Sequence, residues 1–87
     1  MTDQEIFQRI LCVVEARFDN LPPIDTISID DHFEEDLSME SLDMIDLIMG
    51  VETAFDIKLD MTNAKNTKTF LDLVEAIKNV KPSLCQS

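Results

Sequence analysis

The spacing of the apolar residues constrains the fold most, because they recur every three or four positions in three separate segments. This period is that of an amphipathic α-helix, whereas the side chains of a half-buried strand alternate. The first predicted helix begins at the capping box Thr2 to Glu5 and ends at Asn20, before the Pro22-Pro23 pair. Its apolar stripe consists of Ile6, Phe7, Ile10, Leu11, Val14 and Phe18.

The second predicted helix runs from about Ser41 to Phe55. On a helical wheel of about 100° per residue, one narrow face is predicted to be exposed to solvent and a wide arc to be buried. Glu52 falls within the buried arc, and the sequence indicates no role for it there. That solvent face holds Asp43, Asp46, Gly50 and Thr53. The arc predicted to be buried holds Ile45, Leu47, Ile48, Met49, Val51 and Phe55.

The last helix is predicted to begin at Thr69, with Asp72 completing a capping box, and to end before Pro82. Its core residues are Phe70, Leu73, Val74, Ile77 and Val80. Asp60 would cap a short additional helix at 61–64. The predicted fold class is therefore all-α: a small bundle of three main helices plus a short helix between the second and the last. One domain is predicted at 1–81, followed by a flexible tail at 82–87.

A long connection from Leu21 to Ser38 joins the first two helices, and its prolines and aspartates suit neither helix nor strand. Long loops in compact domains are usually functional or packed by their own side chains. The predicted anchors into the core are Ile24, Ile27, Ile29, Phe33 and Leu37. The segment 27–29 would also suit a short strand, but it lacks a partner strand in the sequence.

The strongly negative net charge of the chain limits the kinds of macromolecule that it can bind. Seven basic and 18 acidic residues give the 87-residue chain a formal net charge of -11. Nucleic acid and anionic membrane surfaces would be repelled, so the expected partners carry basic patches. A merely solvated acidic surface is the alternative. The chain is expected to be cytoplasmic, because its N-terminus lacks a basic flank leading into an apolar core and no apolar run approaches a membrane span. It is also expected to be a monomer.

Little in the chain suggests catalysis or metal binding. The two cysteines, Cys12 and Cys85, match no metal or redox spacing, and free thiols are expected. The only histidine, His32, is predicted to be a solvated loop residue, and Ser41 lacks the glycines of a nucleophile elbow. A calcium loop from Asp30 would need a glycine at its sixth position, and none is there.

Ser41 remains, and it has two possible uses. Serine is favoured as a helix N-cap, and Glu40 before it suits the positive end of the helix dipole. A helix N-terminus also offers free N–H groups that stabilise a phosphate. A phosphoester on Ser41 would therefore be well placed.

The stretch FEEDLSMESLDMIDLIMGVETAFDI, Phe33 to Ile57, resembles the signature of the acyl carrier proteins. The central motif of that family is Asp-Ser-Leu followed by an acidic residue, and it stands here as Glu40-Ser41-Leu42-Asp43. The similarity extends over nearly the whole chain, from the amphipathic first helix to the closing one.

The resemblance implies that Ser41 carries 4′-phosphopantetheine, transferred from coenzyme A by a separate phosphopantetheinyl transferase. The protein itself would catalyse nothing. It would hold acyl groups as thioesters for acyl-processing enzymes of fatty-acid, polyketide or related lipid biosynthesis. It could also shelter an acyl chain between its helices.

The resemblance also implies a set of partner-recognition residues. The acidic ones would bind basic patches on the partner enzymes, and the apolar ones would contact the partner next to the serine. The set consists of Glu40, Leu42, Asp43, Met44, Asp46 and Glu52.

The chain departs from the family pattern ahead of the serine and in the short third helix. Glu40 replaces the usual aspartate, and Ser38-Met39 replaces a glycine–alanine pair. The stretch comparable with the family's acidic third helix holds Thr62, Asn63, Lys65, Asn66 and Thr67. These departures favour a specialised carrier over the housekeeping fatty-acid carrier. An unmodified acidic helical adaptor, with Ser41 as a cap, is the alternative, and a calcium sensor is a distant third.

Overall fold

The computed structural model describes residues 2–19, 21–59 and 67–80. Helix α1 spans Asp3–Arg17, helix α2 spans Ser41–Phe55, and helix α3 spans Phe70–Val80. A single 3₁₀ turn, Ile24–Thr26, lies in the long connection between α1 and α2. The described part of the chain contains helices and no strand, which confirms the all-α prediction. The predicted short helix at 61–64 and the tail at 82–87 lie outside the described residues.

Two of the helices begin at the predicted capping boxes. The Thr2 N–H donates to Glu5 Oε1 (3.0 Å), and the Glu5 N–H donates to Thr2 Oγ1 (3.2 Å). At α3 the Asp72 N–H donates to Thr69 Oγ1 (3.1 Å), while the Thr69 N–H donates to Asp72 Oδ2 (3.2 Å). Each box pairs donors that a helix start leaves without backbone acceptors.

Helix α1 packs against both α2 and α3, and one continuous core lies between the three helices and the long connection. The predicted stripes supply most of that core. Phe70 lies at its centre, with its ring centroid 5.4 Å from that of Phe7 and 4.5 Å from that of Phe33. The fully buried side chains include Ile6, Ile10, Val14, Leu47, Val51, Leu73, Val74 and Ile77.

The long connection is tied to the segment before α3 and to the first turn of α3, with an isolated antiparallel bridge between His32 and Thr69. Phe33 N–H donates to the Lys68 carbonyl (2.9 Å), and Leu71 N–H donates to the Ile29 carbonyl (2.9 Å). Three of the predicted anchors, Ile27, Phe33 and Leu37, are buried. Ile24 and Ile29 are partly buried against the same core. The backbone that leads into α2 is thereby held at several points.

Candidate functional site

The start of α2 differs from the prediction that Ser41 caps the helix. The N-cap is Glu40, which has an extended backbone, and Ser41 is the first helical residue. The Glu40 N–H donates to Asp43 Oδ2 at 3.0 Å, so the Asp43 carboxylate closes the first turn. The N-cap interpretation of Ser41 was therefore wrong, and it fails because the Glu40–Asp43 pair already performs that role.

The Ser41 side chain is consequently available for chemistry. It is exposed, and its hydroxyl forms no hydrogen bond with the described part of the chain. It lies at the N-terminus of a 15-residue helix, where the unpaired N–H groups of the first turn and the helix dipole favour a negative group. A free hydroxyl at such a position fits a phosphodiester linkage.

The backbone just before Ser41 is held by buried and hydrogen-bonded residues. Met39, two residues earlier, is buried, and its N–H donates to the Phe33 carbonyl (2.9 Å). Ser38 has a φ of 56°, in the left-handed region that favours glycine. This chain therefore keeps the turn that a glycine would make easily, and anchors it with the apolar Met39.

The predicted partner-recognition residues occupy different environments. Leu42 is 75% exposed and Glu40 is exposed, but Met44 is buried and lines a cavity under the long connection. Asp43 is partly buried, and its carboxylate accepts the hydrogen bond from the Glu40 N–H. Glu52, whose role the sequence left open, accepts a hydrogen bond from the Leu59 N–H (2.8 Å) and so stabilises the chain after α2.

Asp46 and Gly50 do not lie on an open acidic face. The guanidinium of Arg17 on α1 forms an ion pair with the Asp46 carboxylate. Gly50 is buried beneath the same arginine: a Cβ at Gly50 would lie 2.9 Å from Arg17 Cδ and 2.7 Å from Val13 Cγ1. The prediction of a fully solvated strip was therefore wrong at Gly50, because α1 crosses α2 at that point.

Met49 is an exposed residue that the sequence analysis placed in the buried arc. Its side chain is 56% exposed. It follows Leu42 by seven residues, two turns of helix, so both side chains lie on one face. We name Leu42, Asp46 and Met49 the α2 face. The seven-residue spacing of Leu42 and Met49 could have indicated this shared face from the sequence.

A cavity of about 180 Å³ lies between the long connection, α2 and the segment before α3. Phe33, Met44 and Thr67 contribute its apolar and buried walls. Thr67 belongs to the stretch that departs from the family pattern; the rest of that stretch, 62–66, lies outside the described residues. His32 and Lys68 also line the cavity and bring polar groups to it.

Other kinds of site find no support in the described residues. No group of three or more histidine, cysteine or acidic side chains there could hold a metal ion. His32 Nδ1 lies 3.6 Å from Asp36 Oδ2, and within the described chain no hydrogen bond joins His32 to Ser41. Cys12 is an exposed free thiol. None of the described helices is both long and apolar enough to cross a bilayer.

Comparison with known proteins agrees with this geometry. A family profile described as "Phosphopantetheine attachment site" matches residues 4–77. The acyl carrier protein of Borrelia garinii subsp. bavariensis is 36% identical over 81 residues, 93% of this chain and 99% of that protein. The acyl carrier protein of Lactobacillus johnsonii is 33% identical over 79 residues, 91% of this chain and 96% of that protein. The chain therefore belongs to the acyl carrier protein family, whose members bear a covalently attached 4′-phosphopantetheine.

Proposed function

We propose that Ser41 is the attachment residue for 4′-phosphopantetheine and that the chain delivers acyl intermediates to enzymes of fatty-acid, polyketide or related lipid biosynthesis. The observation that supports this most is the exposed Ser41 hydroxyl, which the Glu40–Asp43 cap leaves without a hydrogen bond in the described chain. The terminal thiol of the bound arm supplies the chemistry, by holding acyl groups as thioesters.

In attachment, the Ser41 oxygen forms the new bond to phosphorus while the pyrophosphate bond of coenzyme A breaks. The hydroxyl proton is taken up by a base of the transferase, and adenosine 3′,5′-bisphosphate leaves. The chain itself needs no base beside Ser41, because the transferase supplies it. The first turn of α2 stabilises the resulting phosphodiester through its N–H groups.

The α2 face, with Glu40 at its end, is the proposed docking surface. Leu42 and Met49 offer exposed apolar area, and Asp46 lies between them on the helix. Partners with basic patches fit a chain with a net charge of -11, because charge steering raises the rate of encounter. Asp43 and Glu52 contribute charge to this surface while their carboxylates also hold the ends of α2. Met44 is buried, so its proposed part is in the cavity and not in docking.

The proposed setting is cytoplasmic, with the chain acting as a monomer in a specialised pathway. Support for specialisation comes from Ser38, Met39 and Glu40 ahead of the serine and from Thr67 at the cavity. Assaying the modified protein with housekeeping fatty-acid elongation enzymes tests this point. Slow or truncated chain growth is expected, and efficient full-length growth would refute the specialised assignment.

The attachment is tested by intact mass after incubation with coenzyme A and a broad-range phosphopantetheinyl transferase. The wild type should gain one phosphopantetheinyl group, and Ser41→Ala should gain none. Ser38→Ala is the matched control, since Ser38 is another exposed serine three residues away. If the wild type stays unmodified while a control carrier is modified, the unmodified adaptor becomes the better description.

A further inference from the structure

Arg17 is the last residue of α1, and its guanidinium reaches across to the second helix. Its Nη1 donates to Asp46 Oδ1 in the ion pair. Asp46 belongs to the α2 face, so an internal cation already contacts the carboxylate at the centre of the proposed docking surface. This contact joins residues 29 positions apart in the chain.

Gly50 provides the space for that contact. Gly50 follows Asp46 by one helical turn, so both lie on the same side of α2. The Arg17 side chain lies over Gly50, with its Cδ 2.9 Å from the position a Cβ would take. A Cβ at position 50 would require the Arg17 and Val13 side chains to shift. The absence of a side chain at Gly50 thus lets the Arg17 side chain lie against α2 and reach Asp46.

Two other basic side chains in the described region have different surroundings. Arg9 lies 5.7 Å from the centre of the Phe55 ring, and Lys78 Nζ forms an ion pair with Asp3 at 2.8 Å. Among the described ion pairs, the one with Arg17 alone involves α2. The Arg17 and Asp46 side chains remain 37% and 45% exposed, so a partner can reach both.

We infer that Arg17 is a specificity-determining residue of the docking surface, because it competes with the basic groups of partner enzymes for Asp46. This inference depends on the proposed carrier function. A basic partner must displace the guanidinium before it gains the full attraction of Asp46, and the exposed arginine adds repulsion. Arg17 therefore favours partners that bind mainly through the apolar Leu42 and Met49, or that present an acidic group to the arginine.

The test measures kcat/KM for modification by a broad-range transferase that uses basic residues for docking, at low and high salt. Arg17→Gln should raise kcat/KM at low salt, mainly through KM, by about 1.5- to 5-fold, the range of a surface ion pair. The gain should shrink at high salt, because exposed charges are screened. Arg17→Met retains an unbranched stem over Gly50 and is the second variant if Arg17→Gln folds poorly.

Two controls separate this effect from long-range charge. Arg9→Gln removes the same charge from the same helix, so an equal gain in Arg9→Gln would overturn the proposal. In an Asp46→Asn background the gain from Arg17→Gln should shrink to the part that comes from direct repulsion; a gain of unchanged size would also overturn the proposal. A loss of activity in both Arg17 variants would instead show that Arg17 attracts the partner. Failure of the proposed function is distinct, since the wild type itself would then gain no mass.

Discussion

The N–H of Glu40 donates to the carboxylate of Asp43 at 3.0 Å, and Ser41 lies between them with its hydroxyl exposed. In many helices the serine at such a start would accept the first-turn hydrogen bond itself. Here Glu40 and Asp43, on either side of Ser41, form the cap instead. The same two carboxylates place negative charge beside the proposed attachment point, where a basic transferase would approach.

Asp43→Ala should therefore lower the free energy of unfolding by about 1 kcal/mol, the usual cost of losing a helix cap. It should also slow the modification of Ser41, because the first turn of α2 frays. Urea unfolding and the transferase assay measure the two effects. Asp25→Ala is the control: Asp25 is exposed in the 3₁₀ turn, and a change within about 0.5 kcal/mol is expected. Equal stability of both variants would contradict the capping role.

Ser38→Gly should stabilise the protein. The Ser38 φ of 56° places a side chain in the left-handed region, which costs about 1–2 kcal/mol for residues with a Cβ. Glycine removes that cost but adds about 0.5–1 kcal/mol of backbone entropy in the unfolded chain, so a net gain of about 0.5–1 kcal/mol is expected. Urea unfolding measures it. Ser28→Gly, at a residue without positive φ, should instead destabilise; a stabilising effect there too would refute the argument.

The stability of α1 should depend on pH through Glu5. Hydrogen bonds from the Thr2 backbone N–H and then from its side chain lower the Glu5 pKa below its ordinary value of 4.5. A lowered folded-state pKa means that the stabilisation is present above the unfolded pKa and is lost as pH falls through the folded value. NMR titration should show the low pKa in the wild type and a smaller lowering in Thr2→Ala, which loses the hydroxyl but keeps the backbone N–H. Identical titration curves would contradict the capping box.

Met44 and Met49 should respond differently to truncation. Met49 is exposed, so Met49→Ala should change stability by less than about 0.5 kcal/mol and raise KM for partner enzymes. Met44 is buried beside the cavity, so Met44→Ala should cost about 2 kcal/mol or more. Thermal unfolding and transferase kinetics measure the two effects. A destabilised Met49→Ala with unchanged KM would remove Met49 from the proposed docking surface.

The helices could be predicted because periodicity and capping are local properties. Thr2 and Glu5 are three residues apart, as are Thr69 and Asp72, and both pairs form the predicted contacts. The anchoring of the long connection could be predicted only in part. Phe33 is apolar and was an expected anchor, but its hydrogen bond to Lys68 spans a distance along the chain that no local pattern encodes.

The surface of α2 could not be predicted for the same reason. A helical wheel gives the angle of each side chain, but it does not give the position of the neighbouring helix. Because Arg17 crosses the helix at Gly50, that side is covered, while Met49 is left exposed. The proposed attachment serine was predicted from its motif, and its freedom from capping followed only from the Glu40–Asp43 contact.

Gly50→Ala tests the crossing directly. In an open helix this change would gain about 1 kcal/mol from helix propensity. Here the new methyl would collide with Val13 and Arg17, and overpacking typically costs about 1–3 kcal/mol. A net loss in urea unfolding is therefore expected, with partial recovery in Arg17→Ala, where one of the two colliding side chains is gone. Ala54→Gly is the matched control for propensity, because Ala54 is exposed on the same helix and should lose about 1 kcal/mol. A Gly50→Ala protein more stable than the wild type would show that Arg17 and Val13 move aside freely, and that the glycine is not needed for the Arg17–Asp46 contact.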